Sequence, residues 1–214
     1  MNDNIEDLKK EWNKRYKSKM GISEWPSEGI ISFALKNYTE GERKSIKVLD
    51  FGCGVGNNLY FLLEEGFDAY GSEISSEAIY KAGKKLNHNN KDISIEERIR
   101  YSKDGFLDSF PNEYFDLVID RESLSQMEWG KLKKVFKDIK RVMKKNAIYY
   151  GEMFAHTESS CDYFKNRDRH FFSLDEIKTL STGMLIESVV LKTRTPVLGA
   201  EHPSSEYCVV IKKI

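Results

Sequence analysis

The chain has 214 residues, 40% of them apolar and 32% charged, enough for one folded domain with a sizeable core. Its 34 basic side chains match its 34 acidic ones, so no net field draws it to a polyanion and composition gives no support to a nucleic-acid partner. A mean hydropathy of −0.56, with no apolar run of membrane-spanning length, excludes a helical membrane protein.

In residues 3–18, Ile5, Leu8, Trp12, Arg15 and Tyr16 recur at helical spacing on one side and predict a helix. A loop containing Gly21 and Pro26 separates it from a second helix expected over residues 27–36. A polar connection over 39–45 then leads into a regular alternation. Strands are expected at 46–50, 67–72, within 99–103, at 115–119 and at 147–153. Helices at 57–65 and 75–86 follow the first two strands, and one at 131–143 precedes the fifth. Gly66 stops the first of these helices, and Ser75 or Ser76 can cap the second. The run at 115–119 is nearly all apolar, as a strand buried on both faces must be. Repeated strand–helix units imply a parallel sheet with helices on both sides, an α/β fold in three αβα layers. The end differs: a helix over 173–181, opened by a Ser173–Glu176 capping box, and then two strands at 185–192 and 207–213.

The first ten residues lack the apolar block of a signal peptide. Cys53, Cys161 and Cys208 are widely spaced, without metal-ligand spacing, which fits free thiols in a reducing compartment. A cytoplasmic protein without a metal is expected, and its abundance of Lys, Asn and Ile suits an AT-rich bacterial genome.

Residues 48–58 read Val-Leu-Asp-Phe-Gly-Cys-Gly-Val-Gly-Asn-Asn. An apolar run ends at Asp50, glycines follow at 52, 54 and 56, and an amphipathic run starts at Leu59. A strand that turns sharply into a helix needs residues without a Cβ where backbone approaches a ligand. At the carboxyl edge of an open parallel sheet, such turns bind nucleotide-like ligands. The dinucleotide fingerprint is G-x-G-x-x-G, but here Asn57 stands in place of its third glycine. Asp50 would repel a pyrophosphate and attract an ammonium group. The stretch therefore resembles motif I of the class I S-adenosylmethionine-dependent methyltransferases, D/E-x-G-x-G-x-G, matched residue by residue by Asp50, Gly52, Gly54 and Gly56.

Together with three further places in the right order, the resemblance extends over residues 46–153. It implies a seven-stranded sheet of order 3-2-1-4-5-7-6 with the last strand antiparallel. It further implies a single domain, residues 1–44 forming a helical extension or lid and 45–214 a Rossmann-like core. The implied cofactor is S-adenosyl-L-methionine, leaving as S-adenosyl-L-homocysteine. Glu73, with Ile74 beside it, takes the place of the carboxylate that accepts from both ribose hydroxyls. Asp104, Gly105 and Phe106 fall where the family places its adenine contacts, and Asp120 and Arg121 where its loop faces donor and acceptor. Asn57 and Asn58 open the helix behind the glycines, and Arg15 is a candidate partner for the ligand's carboxylate.

An oxygen acceptor benefits from a base that removes its proton. The candidates are Asp120, Glu152, His156 and His170, with Tyr163 and His202 as further side chains toward the acceptor. Lone histidines are more often structural, and Trp12 and Tyr16 are as readily read as packing their helix on the sheet. The loop after the fourth strand lacks the Asn/Asp-Pro-Pro-aromatic motif, which argues against methylation of an adenine amino group.

The expected function is methyl transfer to an O or N atom of a small molecule (a metabolite, sugar or natural product), with no nucleic-acid or membrane partner. Two alternatives stay open. Glu73 would equally suit the ribose of an NAD(P)-dependent oxidoreductase or epimerase. A protein that binds S-adenosylmethionine without transferring its methyl group needs the same residues. RNA or protein acceptors have only the basic stretch at 131–145 in their favour. The oligomeric state is not legible.

Overall fold

The computed structural model describes residues 5–18, 23–89, 94–102, 104–157, 169–194 and 204–214. Before the alternation come α1 (Ile5–Ser18), α2 (Glu28–Asn37) and the short α3 (Glu40–Arg43). The alternating part comprises β1 (Lys47–Phe51), α4 (Asn57–Glu64), β2 (Asp68–Glu73), α5 (Ser76–Asn89), α6 (Ile95–Arg98), β3 (Ile99–Tyr101) and β4 (Phe115–Arg121). A 3-10 turn (Leu124–Gln126), α7 (Trp129–Val142), β5 (Met143–Phe154), α8 (Leu174–Leu180), β6 (Met184–Arg194) and β7 (Ser204–Lys213) complete the order.

The strands form one sheet in the order β3-β2-β1-β4-β5-β7-β6. β1 to β5 are parallel, and β7 lies antiparallel between β5 and β6. This is the expected order with the expected antiparallel last strand. Alternation explains its layers. On one face Leu49, Phe51, Phe115, Val118 and Tyr149 pack against Leu132, Val135, Phe136 and Ile139 of α7 and Ile177 of α8. On the other, Val48, Leu117, Ile119 and Tyr150 pack against Ile30 and Ala34 of α2, Leu59 and Leu62 of α4, and Ala82 and Leu86 of α5. Burying each such Leu, Ile or Phe is worth roughly 1.5–3 kcal/mol, and β1 and β4 gain it on both faces.

Arg141, in the last turn of α7, ties down the segment after β3. Its guanidinium donates to Leu107 O at 2.9 Å and Phe110 O at 3.0 Å, while Asp138 accepts Leu107 N–H at 2.5 Å. That segment carries Asp104, Gly105 and Phe106 to the carboxyl edge of the sheet.

Several boundaries differ from the sequence reading, among them that of β4, which runs on through Asp120 and Arg121, expected in the loop after it. Residues 39–45 are not plain connection: Glu42 accepts the Thr39 N–H at 3.0 Å, and this capping box winds one turn of helix. α5 continues through residues expected as a polar break, and α6 forms within the segment before β3. β5 starts at Met143 rather than 147, with Asn146 at φ 67° where its pairing with β4 shifts register.

Candidate active site

β1 ends at Phe51, and the chain turns through a loop in which Gly52 has φ 69° and Gly54 φ 56°. Only glycine adopts this region without strain. Space is equally restrictive: a Cβ on Gly52 would strike Ser123 Oγ, and one on Gly54 would lie 2.7 Å from the Tyr16 hydroxyl. Gly56 follows as the residue preceding α4. The parallel register pairs Phe51 with Ser72, so the end of β2 stands beside the loop. There Glu73 accepts the N–H of Gly54, Ile74 and Ser75, each at 2.8 Å. Burial raises the Glu73 pKa, and these three donors oppose the rise.

A cleft opens along this edge. Its floor is made by Phe51, Gly52, Ser72, Glu73, Ile74, Ser102 and Gly105, and its far side by Arg121, Glu122, Ser123, Gln126 and Met127. Leu8, Trp12 and Tyr16 of α1 roof it. The roof is anchored, since Asn13 Oδ1 accepts from Ser75 Oγ at 2.6 Å and Glu77 N–H at 3.2 Å, and Lys81 Nζ donates to the Tyr16 carbonyl. Burial, and next the Glu73 charge, hold the Tyr16 phenol far above its ordinary pKa, so it stays neutral.

Two carboxylates lie beneath this surface. Asp50 is buried, and burial raises its pKa from 3.8 to about 7, against the opposing hydrogen bond from Leu59 N–H. Its Oδ2, like Ser72 Oγ, has no hydrogen-bond partner among the described residues. Asp120 is also raised to about 7 by burial, although Tyr149 Oη and the backbone of Ser123 and Leu124 donate to it. These bonds make it the residue that fixes the turn after β4, and it does not line the cleft.

The other sequence candidates divide clearly. Gly52, Glu73, Ile74, Gly105 and Arg121 line the cleft. Asn57 and Asn58 are buried at the start of α4, where Asn57 donates to Ser23 O at 2.6 Å and Asn58 accepts Ser27 N–H at 2.8 Å, tying down the chain ahead of α2. Asp104 accepts Phe106 N–H at 3.4 Å, and the Phe106 ring packs on the α7 side of the core. Arg15 lies 3.3 Å from Glu11 and over the Trp12 ring, outside the lining. Glu152 accepts the Ser27 hydroxyl at 2.7 and 2.8 Å and lies 3.8 Å from Arg121, below the cleft. His156 is exposed. His170 is stacked on Trp129 at 5.1 Å with its ring edge-on to Phe172, and burial lowers its pKa. Tyr163 and His202 lie outside the described residues.

Several lining residues were not singled out from sequence: Leu8, Phe51, Ser72, Ser102, Glu122, Ser123, Gln126 and Met127. Ser72 has a readable signal, being next to the end of β2. Glu122, Ser123, Gln126 and Met127 belong to the loop after Arg121 that the sequence placed toward donor and acceptor, Phe51 and Ser102 adjoin the motif positions, and Leu8 comes with α1.

This arrangement, a glycine turn at the carboxyl edge of a 3-2-1-4-5-7-6 sheet with a carboxylate at the end of the adjacent strand, defines a class I nucleotide-type cleft. The methyltransferase-domain family matches residues 24–181, well over half the chain. The chain belongs to this family of S-adenosylmethionine-dependent methyltransferases. It is similar to human tRNA N(3)-cytidine methyltransferase METTL6, 31% identical over 112 residues, a segment that is 51% of this chain and 39% of that protein. The chain thus matches well under half the length of that relative. Among solved structures, magnesium protoporphyrin IX methyltransferase from Synechocystis PCC 6803 with bound S-adenosylhomocysteine has a TM-score of 0.70 at 14% identity, covering 96% of this chain and 99% of that one. A structure described as the conversion of a disulfide bond into a thioacetal group during echinomycin biosynthesis has a TM-score of 0.72 at 16% identity, covering 96% and 93%. At such identities the likeness is one of fold.

The residues present suit S-adenosylmethionine. The Gly52–Gly54 turn has no room for side chains, the orphan oxygen of Asp50 suits a cationic ligand, and Glu73 offers a buried carboxylate at the strand end.

Proposed function

We propose that this methyltransferase acts on an O or N atom of a small molecule, as a single catalytic unit whose α1 closes over the bound ligand. The observation that carries this reading is the roofed, weakly charged cleft. Among the described residues lining it, Glu73 and Glu122 are acidic and Arg121 is the single cation. A polyanionic acceptor calls for a row of cations along its path, which this lining lacks. When bound, S-adenosylmethionine supplies a methyl group already activated by the sulfonium charge. The chain's own work is to bind, orient and exclude water. Glu73 would accept the ribose hydroxyls and keep the Gly54 turn in place; Ser102 and Gly105, with Asp104 and Phe106 behind them, would border the adenine; Asp50 and Arg121 would set the charge around the amino-acid end. Leu8, Trp12 and Tyr16 would keep water off the reacting centre.

A second reading, an RNA acceptor, is favoured by the likeness to a tRNA methyltransferase and by Lys133, Lys134 and Lys137, all exposed on α7. One experiment separates them. Calorimetry is first used to establish S-adenosylhomocysteine binding, expected in the micromolar range, about −8 kcal/mol. The protein is then incubated with methyl-labelled donor and, in parallel, a small-molecule extract and total tRNA. Label in the extract supports the proposal, whereas label in tRNA overturns it.

A further inference from the structure

Glu122 is the first residue past β4, and its backbone is in the left-handed region at φ 61°. A non-glycine residue there costs energy unless its surroundings hold it. They do: Glu122 N–H donates to Glu152 O at 2.7 Å, and Gln126 Nε2 donates to Glu122 O at 3.3 Å. The effect is to turn the side chain into the cleft, where it lines the wall beside Arg121. Among the described residues no side-chain hydrogen bond holds its carboxylate. Sheet order says which part of the cleft this is. From β3 toward β5 the edge presents Ser102, Glu73, Gly52 and then Glu122, which is bonded to the end of β5. With Glu73 at the ribose, Glu122 stands on the far side of the donor, where the acceptor must enter.

We propose that Glu122 is the carboxylate that meets the methyl acceptor and takes up its proton. This rests on the methyltransferase reading above and names the residue for its acceptor side. Glu122 accepts the proton of an acceptor O–H or N–H as the acceptor's lone pair bonds the methyl carbon and the S–C electron pair stays on sulfur. Charge balances: a cationic donor, a neutral acceptor and a carboxylate give a neutral thioether, a neutral methylated product and a carboxylic acid. Burial raises the pKa of Glu122; Arg121 opposes this, Glu206 adds to it, Arg169 opposes and Glu152 adds. A base with a raised pKa takes a proton more readily near neutral pH.

The test compares two probes of known structure by calorimetry, S-adenosylhomocysteine and sinefungin, which carries an amine where the donor carries its methyl group. The wild type is expected to bind sinefungin about tenfold more tightly than S-adenosylhomocysteine, the ratio expected for one charged hydrogen bond. Glu122→Gln keeps the shape, and Glu122→Gly suits φ 61°, so one of them folds even if the other does not. Either should bind S-adenosylhomocysteine within about twofold of wild type and lose the preference for sinefungin. S-adenosylhomocysteine binding with a preference that is absent in wild type, or unchanged in both variants, overturns the role of Glu122 alone. A wild type that binds neither probe overturns the cofactor reading and this proposal with it.

Discussion

Asp50→Asn should stabilise the protein at pH 8 while weakening its hold on the cofactor. Asp50 is 1% exposed, and its pKa rises from 3.8 to about 7 through burial, with Asp120 and Glu73 adding to the rise and Leu59 N–H and Arg121 opposing it. The sign follows from proton counts. As pH climbs past 3.8 the unfolded chain releases this proton and the folded one keeps it, so stability falls until the folded group also ionises near 7. At about 1.4 kcal/mol per pH unit, the interval amounts to roughly 4 kcal/mol lost between about pH 4 and pH 7. Asparagine still offers an oxygen to Leu59 N–H and never ionises. Urea unfolding followed by circular dichroism at pH 5, 6, 7 and 8 gives the comparison. The wild-type midpoint should fall with pH, and the variant should fall less, its advantage growing to several kcal/mol by pH 8. Asp120, also at about 7, leaves part of the slope in both proteins. A variant with the wild-type slope, or one less stable than wild type at pH 8, would refute the reasoning. Calorimetry on the same samples reads the cost to function: S-adenosylhomocysteine affinity should drop at least tenfold if Asp50 faces the ligand's ammonium group.

Gly54→Ala combines φ 56° with a Cβ 2.7 Å from the Tyr16 hydroxyl, so a loss of about 1–3 kcal/mol in unfolding free energy and of measurable S-adenosylhomocysteine binding is expected. Glu73→Ala strips the acceptor from three N–H groups, two of them buried, and should destabilise by about 3 kcal/mol or more, read by the same urea titration; an unchanged midpoint would mean the loop does not depend on it. Tyr149→Phe removes one donor from buried Asp120, costing about 1–3 kcal/mol at pH 8 and much less at pH 5, where the carboxyl is protonated. Trp12→Ala opens the roof and should weaken S-adenosylhomocysteine binding about tenfold by calorimetry while leaving the unfolding midpoint nearly unchanged, because the ring lines the cleft and belongs to neither core.

What could be read from sequence follows the range of the interaction responsible. The β-strands announced themselves because burial on two faces demands unbroken apolar runs, as at Leu117, Val118 and Ile119. The glycine turn was readable because a backbone rule acts on it locally, and Glu73 because a carboxylate at a strand end needs only the strand's end to be known. Glu152 was read on the strand that carries it and Asp120 in the loop after β4, although β4 runs on through it, and both side chains serve the fold. Asp120 is claimed by Tyr149 and the turn behind it, and Glu152 by the hydroxyl of Ser27 from a segment 125 residues away. A sequence shows that a carboxylate sits at a strand end, but not which partner reaches it first.

The roof shows this limit most sharply. The spacing of Leu8, Trp12 and Tyr16 fixes one stripe along α1, and those three residues do line the cleft. Arg15 follows Leu8 by two turns and precedes Tyr16 by one position. The guanidinium turns to Glu11 and the face of Trp12, and a neutral phenol stands against Gly54. Periodicity does not separate the two, because Arg15 is seven residues from Leu8, about 20° away around the helix, and shares the stripe. The stripe admits both residues, and only the contacts of the guanidinium with Glu11 and Trp12 tell them apart. Cofactor contacts made by a neutral aromatic roof should depend little on salt, whereas an arginine-to-carboxylate contact would weaken as ionic strength rises.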